Sequence, residues 1–494
     1  MKTIYQILSA LSFVACMGSC SDFLEGKSQD QILVKTTKDY GELLYGSGYP
    51  QGNALGIVEQ MTDDADWRML QSVENKQNYS VNEAFMTAYC WQPDLYEYGT
   101  KVPFTSTEYY LFYDKIKGCN AVLDGIDEAI GTQYEHDRVK AEALALRAYH
   151  YFQLVNLYGQ PYNKDKQAPG VPLKLTAAIQ ETGLARNTVE EVYRQVEDDL
   201  LASIDLLKPY AVTEKDYRIN LPAIYTLLSR IYLYMEEWQK VADHATEALK
   251  INGTLCDLTT VESTFVANSY DSPEVYWNFG GSLFEQNKQP SDELIESFEE
   301  GDVRHDLSNG LYLRSRLEND PNAPNVYPRP QVYLGSYSTP KCQNVIGNES
   351  GDQQVLPGLS IRASEAYLNR AEAYAKLGHN SEALDDLNRV RRHRIKGYQE
   401  LTEADVPDML EAVRAERRRE FCFEGFRWFD LRRYGCPRIV HRFQVSGPVM
   451  YYILPQGDPM YTLPLPSTVI ELNPLLEQNP SAYVAYRSAV SSEM

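Results

Sequence analysis

Hydrophobic and polar positions divide the chain into helical blocks separated by stretches with no regular period. Between 108 and 130, Tyr109, Phe112, Tyr113, Ile116, Ala121, Leu123 and Ile126 supply an apolar stripe at helical spacing. The next block, 139–158, belongs to the run VKAEALALRAYHYFQLVNLYG and meets Gly159 and Pro161, a helix stop. Thr188 stands three residues before Glu191, so a capping box opens a helix running to about 207. Residues 221–237 and 238–250 predict a further helical pair, and 361–394 and 408–434 two more. The stretches near 40–105 and 251–358 mix Gly, Pro, Asp and aromatics, which predicts loops, short helices and, at SPEVYWNFGG, a short strand. An excursion of that length inside a helical array usually carries function. After Gly435 the chain reads as an extended, Pro-rich tail wrapping back over the helices.

Ala371, Tyr374, Gly378 and Ala383 are spaced as in a tetratricopeptide (TPR) helix–turn–helix. The small residues let two helices approach, and the glycine permits the turn. Ser229, Tyr232, Trp238, Ala245 and Ala248 sit at comparable offsets, without an even repeat length between the two sets. The predicted fold is therefore all-α: a degenerate TPR-like helical-repeat scaffold with two irregular, loop-rich insertions. Helical pairs fall near 108–158, 187–250, 361–394 and 408–434, within one domain spanning 39–494.

The run ERRREFCFEGFRWFDLRRYG places Glu416, Glu420 and Glu424 on one helical stripe. They are interleaved with Arg417, Arg418 and Arg419 and followed by Arg427, Asp430 and Arg432. Charges set among that much aromatic surface are costly unless paired, so the block predicts an internal ion-pair network. Nearby arginines would lower those carboxylate pKa values, whereas a glycosidase acid needs one raised. Asp63, Asp64 and Asp66, beside Trp67 and Arg68, suit sugar hydroxyls, a cation or a helix cap equally well. No G-x-S-x-G elbow, HExxH, CxxC or Walker A motif is present, and the histidines show no metal-ligand spacing. We therefore expect no catalytic residues, no metal and no cofactor.

Composition adds two constraints. A formal net charge of −22 repels polyanions, which removes nucleic acid as a partner. Tyr 37 against Phe 15 and Trp 5 favours half-wet packing and contact with sugar rings. The N-terminus carries Lys2, an apolar core at 4–15 and a small-residue run ending at Cys20. That pattern predicts a signal peptide over 1–19, too short to span a bilayer, with Cys20 as the lipid-attachment site of a bacterial lipobox. Residues 20–38 then form a lipidated tether. The other cysteines of the mature chain (Cys90, Cys119, Cys256, Cys342, Cys422 and Cys436) read as scattered buried thiols.

The segments RAYHYFQLVNLYG, AEAYAKLG with ALDDLNRVR, EFCFEGFRWFDLRR and the LPLP…QNP tail closely resemble the SusD/RagB family of outer-membrane nutrient-binding lipoproteins of Bacteroidetes. The resemblance implies a SusD-like fold and a cell-surface, lipid-anchored protein of the outer membrane. Such a protein captures a glycan and delivers it to a SusC-like TonB-dependent transporter. It also implies an aromatic ligand surface drawn from the two irregular regions. The candidates there are Asp66, Trp67, Arg68, Trp91, Asp94 and Tyr96 in the first region, and Tyr327, Arg329 and Tyr333 in the second. Peptide capture, as in RagB-like members, is the alternative within the fold. A surface glycoside hydrolase is the alternative from another class.

Overall fold

In chain order, the main helices of the computed structural model are Thr37–Ser47 (α1), Glu83–Tyr89 (α2), Glu108–Leu123 (α3), Gln133–Tyr158 (α4), Val189–Leu207 (α5), Leu221–Met235 (α6) and Trp238–Ile251 (α7). Ala363–Leu377 (α8), Asn380–Arg392 (α9), Met409–Phe421 (α10) and Arg427–Arg433 (α11) follow. From α3 to α10 each helix packs on the next, as in a quasi-one-dimensional array. α7 packs directly on α8, so the intervening segment is looped out of the stack. The structure describes residues 34–50, 55–68, 83–97, 107–261, 270–279, 289–306, 313–315, 337–338, 359–444 and 448–492. The expected signal peptide and Cys20 lie outside these residues.

Local chemistry sets the helix ends. Thr188 and Glu191 form the predicted capping box. A second box, Thr132 with Glu135, starts α4 earlier than its apolar run does. α3 stops at Leu123 rather than near 130, because the chain turns through Asp124 and Gly125 into a 3-10 turn at Ile126–Glu128. Gly378 closes α8 at φ +79, a left-handed conformation that a Cβ would disfavour, and so makes the tight turn into α9.

α4 is the central helix, buried on all sides from Ala141 to Tyr158. Its polar side chains are paired: Arg147 grips Asp199 with two bonds of 2.7–2.8 Å, and Glu142 takes Arg138 and Arg218. A helix this deep also buries its last carbonyls, which have no partner within the helix. Other segments supply them. Arg432 donates to the Asn156 and Gly159 carbonyls. Leu463 N–H reaches Leu157 O at 2.9 Å, and Arg186 and Asn479 both reach Tyr158 O, at 2.7 and 2.9 Å. The tail does wrap back, and it ends as a cap on α4.

The strands are short. They comprise Ala65–Arg68 (β1), Val275–Phe279 (β2), Gln289–Pro290 (β3), His305–Asp306 (β4), Leu313–Ser315 (β5), Tyr337–Ser338 (β6), Leu359–Arg362 (β7), Ile439–Gln444 (β8) and Met450–Leu454 (β9). They form sheets ordered β3-β1-β8-β9, β2-β7 and β4-β5-β6. β2 is the strand expected at SPEVYWNFGG. The β8–β9 hairpin replaces what the sequence suggested was plain extended tail.

The predicted ion-pair network is present, with partners from further away than expected. Glu416 meets Arg304, Arg391 and Arg419 at 2.6–3.0 Å. Glu420 meets Arg304, Arg362 and Arg394 at 2.9–3.3 Å. Glu424 pairs with Arg362, and Glu274 with Arg362 and Arg394. Within the block only Arg419 serves the glutamate stripe; Arg417 turns to Asp430 at 2.9 Å and Arg418 to Asp64 at 2.7 Å. Burial opposes ionisation of Glu416 and Glu420, but the surrounding guanidiniums overcome it and hold both well below the usual carboxylate range.

Two outcomes follow from this arrangement. Arg432→Leu leaves buried carbonyls at the end of α4 unpaired and should cost about 2–5 kcal/mol in urea denaturation, with Arg432→Lys recovering part of it. Glu416 and Glu420 are depressed in the folded state, so their stabilisation is complete above about pH 4.5 and is lost as pH falls through their folded pKa values. Denaturation midpoints should therefore drop steeply below about pH 4.5. Glu420→Gln at pH 7 should remove about 3–5 kcal/mol, because it strands buried arginines.

Candidate functional site

The two irregular regions of the chain meet in one sheet. β1 runs parallel to β8, with Trp67 opposite Phe443 and Arg68 opposite Gln444. On its other side β1 is antiparallel to β3, with Ala65 opposite Pro290 and Asp66 opposite Gln289. β9 returns antiparallel to β8, placing Met450 opposite Phe443. The backbones of Arg68, Gln289, Gln444 and Met450 therefore gather towards one end of the sheet. From that end the chain continues into 69–82, leads in from 280–288, and crosses between β8 and β9 through 445–447. β6, a strand of the β4-β5-β6 sheet, packs against β3.

The opposite end is anchored. Ser291 N–H donates to Asp64 O at 2.8 Å and its hydroxyl to Asp63 O at 2.7 Å. Asp63 takes two bonds of 2.7 Å from Arg427, and Asp64 one of 2.7 Å from Arg418. Burial opposes ionisation of Asp63, yet Arg427 and Arg418 hold it below its ordinary range. Burial pushes Asp64 up against the pull of Arg418. Of the three roles open to these aspartates, the structure selects a fourth: an arginine clamp at the base of β1. Both carboxylates are occupied and turned inward, which does not suit acid–base work on a substrate.

The candidate residues separate accordingly. Asp66 is buried in β1. Trp67 and Arg68 follow it in the same strand, where the structure describes their backbone. Trp91 is not a ligand platform. It is 0% exposed, its indole N–H donates to Met61 O at 3.0 Å, and its ring stacks 4.0 Å from that of His441. It also sits at φ +49 just past α2, a left-handed position where a bulky residue is held only by such packing. Tyr96 is likewise a core residue. Its hydroxyl lies 3.0 Å from that of Tyr158 and 3.1 Å from Glu108, whose carboxyl burial raises to about 7. Asp94 is half-buried beside them. Tyr327, Arg329 and Tyr333 lie outside the described residues. Trp277 is fully buried and stacked 4.1 Å from Phe279.

Sequence reasoning missed the β8–β9 hairpin as a component of the site. Its signal was available: IVHRFQ and MYYIL flank Ser446, Gly447 and Pro448, a turn cluster between two strand-like runs. Among the described residues, no group of three or more His, Cys, Asp or Glu is placed to hold a metal ion, and no helix is long and apolar enough to cross a membrane. Cys90, Cys119, Cys256, Cys422 and Cys436 are buried, and Cys342 lies outside the described residues.

Comparison with known proteins agrees with this architecture. Residues 22–233 match the SusD-like_3 family, described as "Starch-binding associating with outer membrane", and residues 275–482 match the SusD family model SusD_RagB. A curated relative, SusD-like protein P38 of Formosa agariphila, is 23% identical over 404 residues, covering 70% of this chain and 75% of its own. A SusD superfamily protein from Bacteroides thetaiotaomicron superposes with a TM-score of 0.66 at 24% identity, over 90% of this chain and all of the other. A SusD-like carbohydrate binding protein from Bacteroides vulgatus superposes with a TM-score of 0.63 at 22% identity, over 92% of this chain and 95% of the other. The helical array, the strands inserted between its repeats and both halves of the chain thus lead to one assignment: the protein belongs to the SusD/RagB family.

Proposed function

We propose that this protein is a glycan-capture lipoprotein of the outer membrane whose ligand surface lies at the loop-bearing end of the β3-β1-β8-β9 sheet. The observation that carries the reading is the register of β1. It joins Asp66 to Gln289 and Trp67 to Phe443, so both irregular regions converge at the end of β1 that holds Trp67 and Arg68. Sugar recognition requires an aromatic face with planar hydrogen-bonding groups at its edge. Trp67 and Arg68, with Tyr327, Arg329 and Tyr333 from the segment leading to β6, are of that chemistry. The description of the matched family as starch-binding and the name of the Bacteroides vulgatus relative support a carbohydrate ligand. Capture involves no covalent step. The bound glycan passes to a SusC-like TonB-dependent transporter, and acyl chains on Cys20 keep the protein at the cell surface.

Affinity electrophoresis against a panel of neutral and acidic polysaccharides, with reducing ends assayed on the same samples, tests this reading. Retardation by a glycan without release of ends is expected. Trp67→Ala should weaken that binding about tenfold or more, roughly 1.4 kcal/mol, with an unchanged melting temperature. Trp91→Ala should instead lower stability by about 3–5 kcal/mol. Retardation by no glycan, together with binding of oligopeptides, would move the function to peptide capture, and release of reducing ends would make the protein an enzyme. For the anchor, Cys20→Ala should shift the protein from the outer-membrane fraction to the soluble fraction. Retention of the variant in the membrane would reject Cys20 as the attachment site.

A further inference from the structure

Glu108 opens α3 with its side chain buried, and among the described residues no cation pairs with it. Glu142, Asp199 and Glu365 are at least as deeply buried, and they meet the guanidiniums of Arg218, Arg147 and Arg230 in turn. Glu108 meets phenols instead. The Tyr96 hydroxyl lies 3.1 Å from its Oε2 and 3.0 Å from the Tyr158 hydroxyl, and both tyrosines are buried. This row of three groups can carry its protons in either direction. As a carboxylate, Glu108 accepts from Tyr96, which accepts from Tyr158. As a carboxylic acid, Glu108 donates to Tyr96, which donates to Tyr158. The contacts fit both forms, so solvation decides between them, and a carboxylate buried without a cation is the costly one.

The groups around the row do not neutralise it. α3 contributes Tyr109 and Tyr113, with ring centroids 4.7 Å apart, and Tyr109 packs edge-on to Tyr158 at 5.4 Å. α4 contributes Tyr151, edge-on to Tyr113 at 6.3 Å. Close to Tyr96 in sequence stand two further acids, Asp94 and Glu97. Arg186 reaches the Tyr158 carbonyl at 2.7 Å, and it gives its other bonds to the Gly170, Pro169 and Glu477 carbonyls and to Asn479 Oδ1. Burial raises the Glu108 carboxyl to about 7, against its own amide at the helix start and the Tyr96 hydroxyl, which both favour the anion.

We propose that Glu108 is a pH-sensitive latch: as a neutral acid it fastens the chain after α2 to α3 and α4, and on ionisation it loosens that joint. Tyr96 belongs to the same short stretch as Trp91, which stacks on His441 of β8, so the latch ties the first irregular region to the helical array. The identity of the ligand has no bearing on it. Below about pH 4.5 the carboxyl is neutral in folded and unfolded chains alike, and the latch is complete. Its contribution is lost as pH rises through the folded value of about 7.

The test compares the wild-type protein with Glu108→Gln, whose amide keeps a donor and an acceptor but cannot ionise. Infrared difference spectra should show a protonated-carboxyl band at pH 6 in the wild type that fades through about pH 7 and is missing from the variant. An identical band in both proteins would mean an ionised Glu108 at pH 6 and would overturn the proposal. In urea denaturation, the unfolding constant of the wild type relative to the variant should rise roughly fiftyfold from pH 5 to pH 8. Hydrogen exchange at 91–97 and 107–113 should likewise quicken in the wild type relative to the variant at pH 8 but not at pH 6. A protonated band with no such changes would leave a buried acid and overturn the latch. If Glu108→Gln does not accumulate, Tyr96→Phe removes a hydroxyl that favours the anion and should move the midpoint of the band to higher pH. An unmoved or lowered midpoint would overturn the proposal.

Discussion

Everything in this molecule hangs on a buried stripe of carboxylates. Glu416, Glu420 and Glu424 face inward from α10 and the turn after it, and moving such groups out of water costs several kcal/mol each. The cost is met only when guanidiniums arrive in fixed geometry, and apart from Arg419 on α10 itself they arrive from other elements. Arg304 comes from the looped-out segment, Arg362 from β7, Arg391 from α9 and Arg394 from just beyond it. The aromatic residues of the same block have a matching use. Arg362 lies 4.7 Å from the Phe421 ring, and Arg230 4.5 Å from that of Phe426, so flat cations rest on ring faces as they pair. A network of this kind adds little net stability over an apolar core. It specifies, because any other arrangement strands a charge.

That requirement explains how a long insertion is tolerated between α7 and α8. A helical array tolerates an insertion when its neighbouring helices still meet, and they do. The insertion must also return to a defined place. Asp302 and Arg304 bring it back onto Glu416 and Glu420, while Glu274 and Arg362 pair with each other across one end of the β2–β7 pair. The returning chain therefore has no free choice of register, and β3 is delivered to the edge of β1.

Legibility in the sequence followed the range of the interactions. The helical pairs were legible because their signals are local: Thr188 with Glu191, Gly378 at the turn, and apolar residues at helical spacing. The pairing of the glutamate stripe was legible as a necessity, since burial and charge alone demand it. Its partners were not, because Arg304 and Arg362 come from separate elements far from the stripe in sequence. The sheet was hidden for a related reason: β3 and β6 are two residues each, too short for any period, and exist only through pairing. Trp91 was misjudged because an aromatic among polar loop residues reads as exposed. Its left-handed backbone, its bond to Met61 and its stack on His441 make it a keystone instead.

The same facts bear on how a binding surface can vary on a constant frame. Recognition of a sugar ring needs a platform held to within a fraction of an ångström, which short loop strands cannot supply alone. Here the base of the sheet is over-determined: Arg427 and Arg418 grip the turn before β1, Ser291 closes β3 onto that turn, and His441 ties β8 to it. The free end holds only short pairings, with Trp67 and Arg68 at the last paired positions of β1. Rigidity at one end of this four-residue strand thus joins the charged core to the end of the sheet proposed to carry the ligand surface.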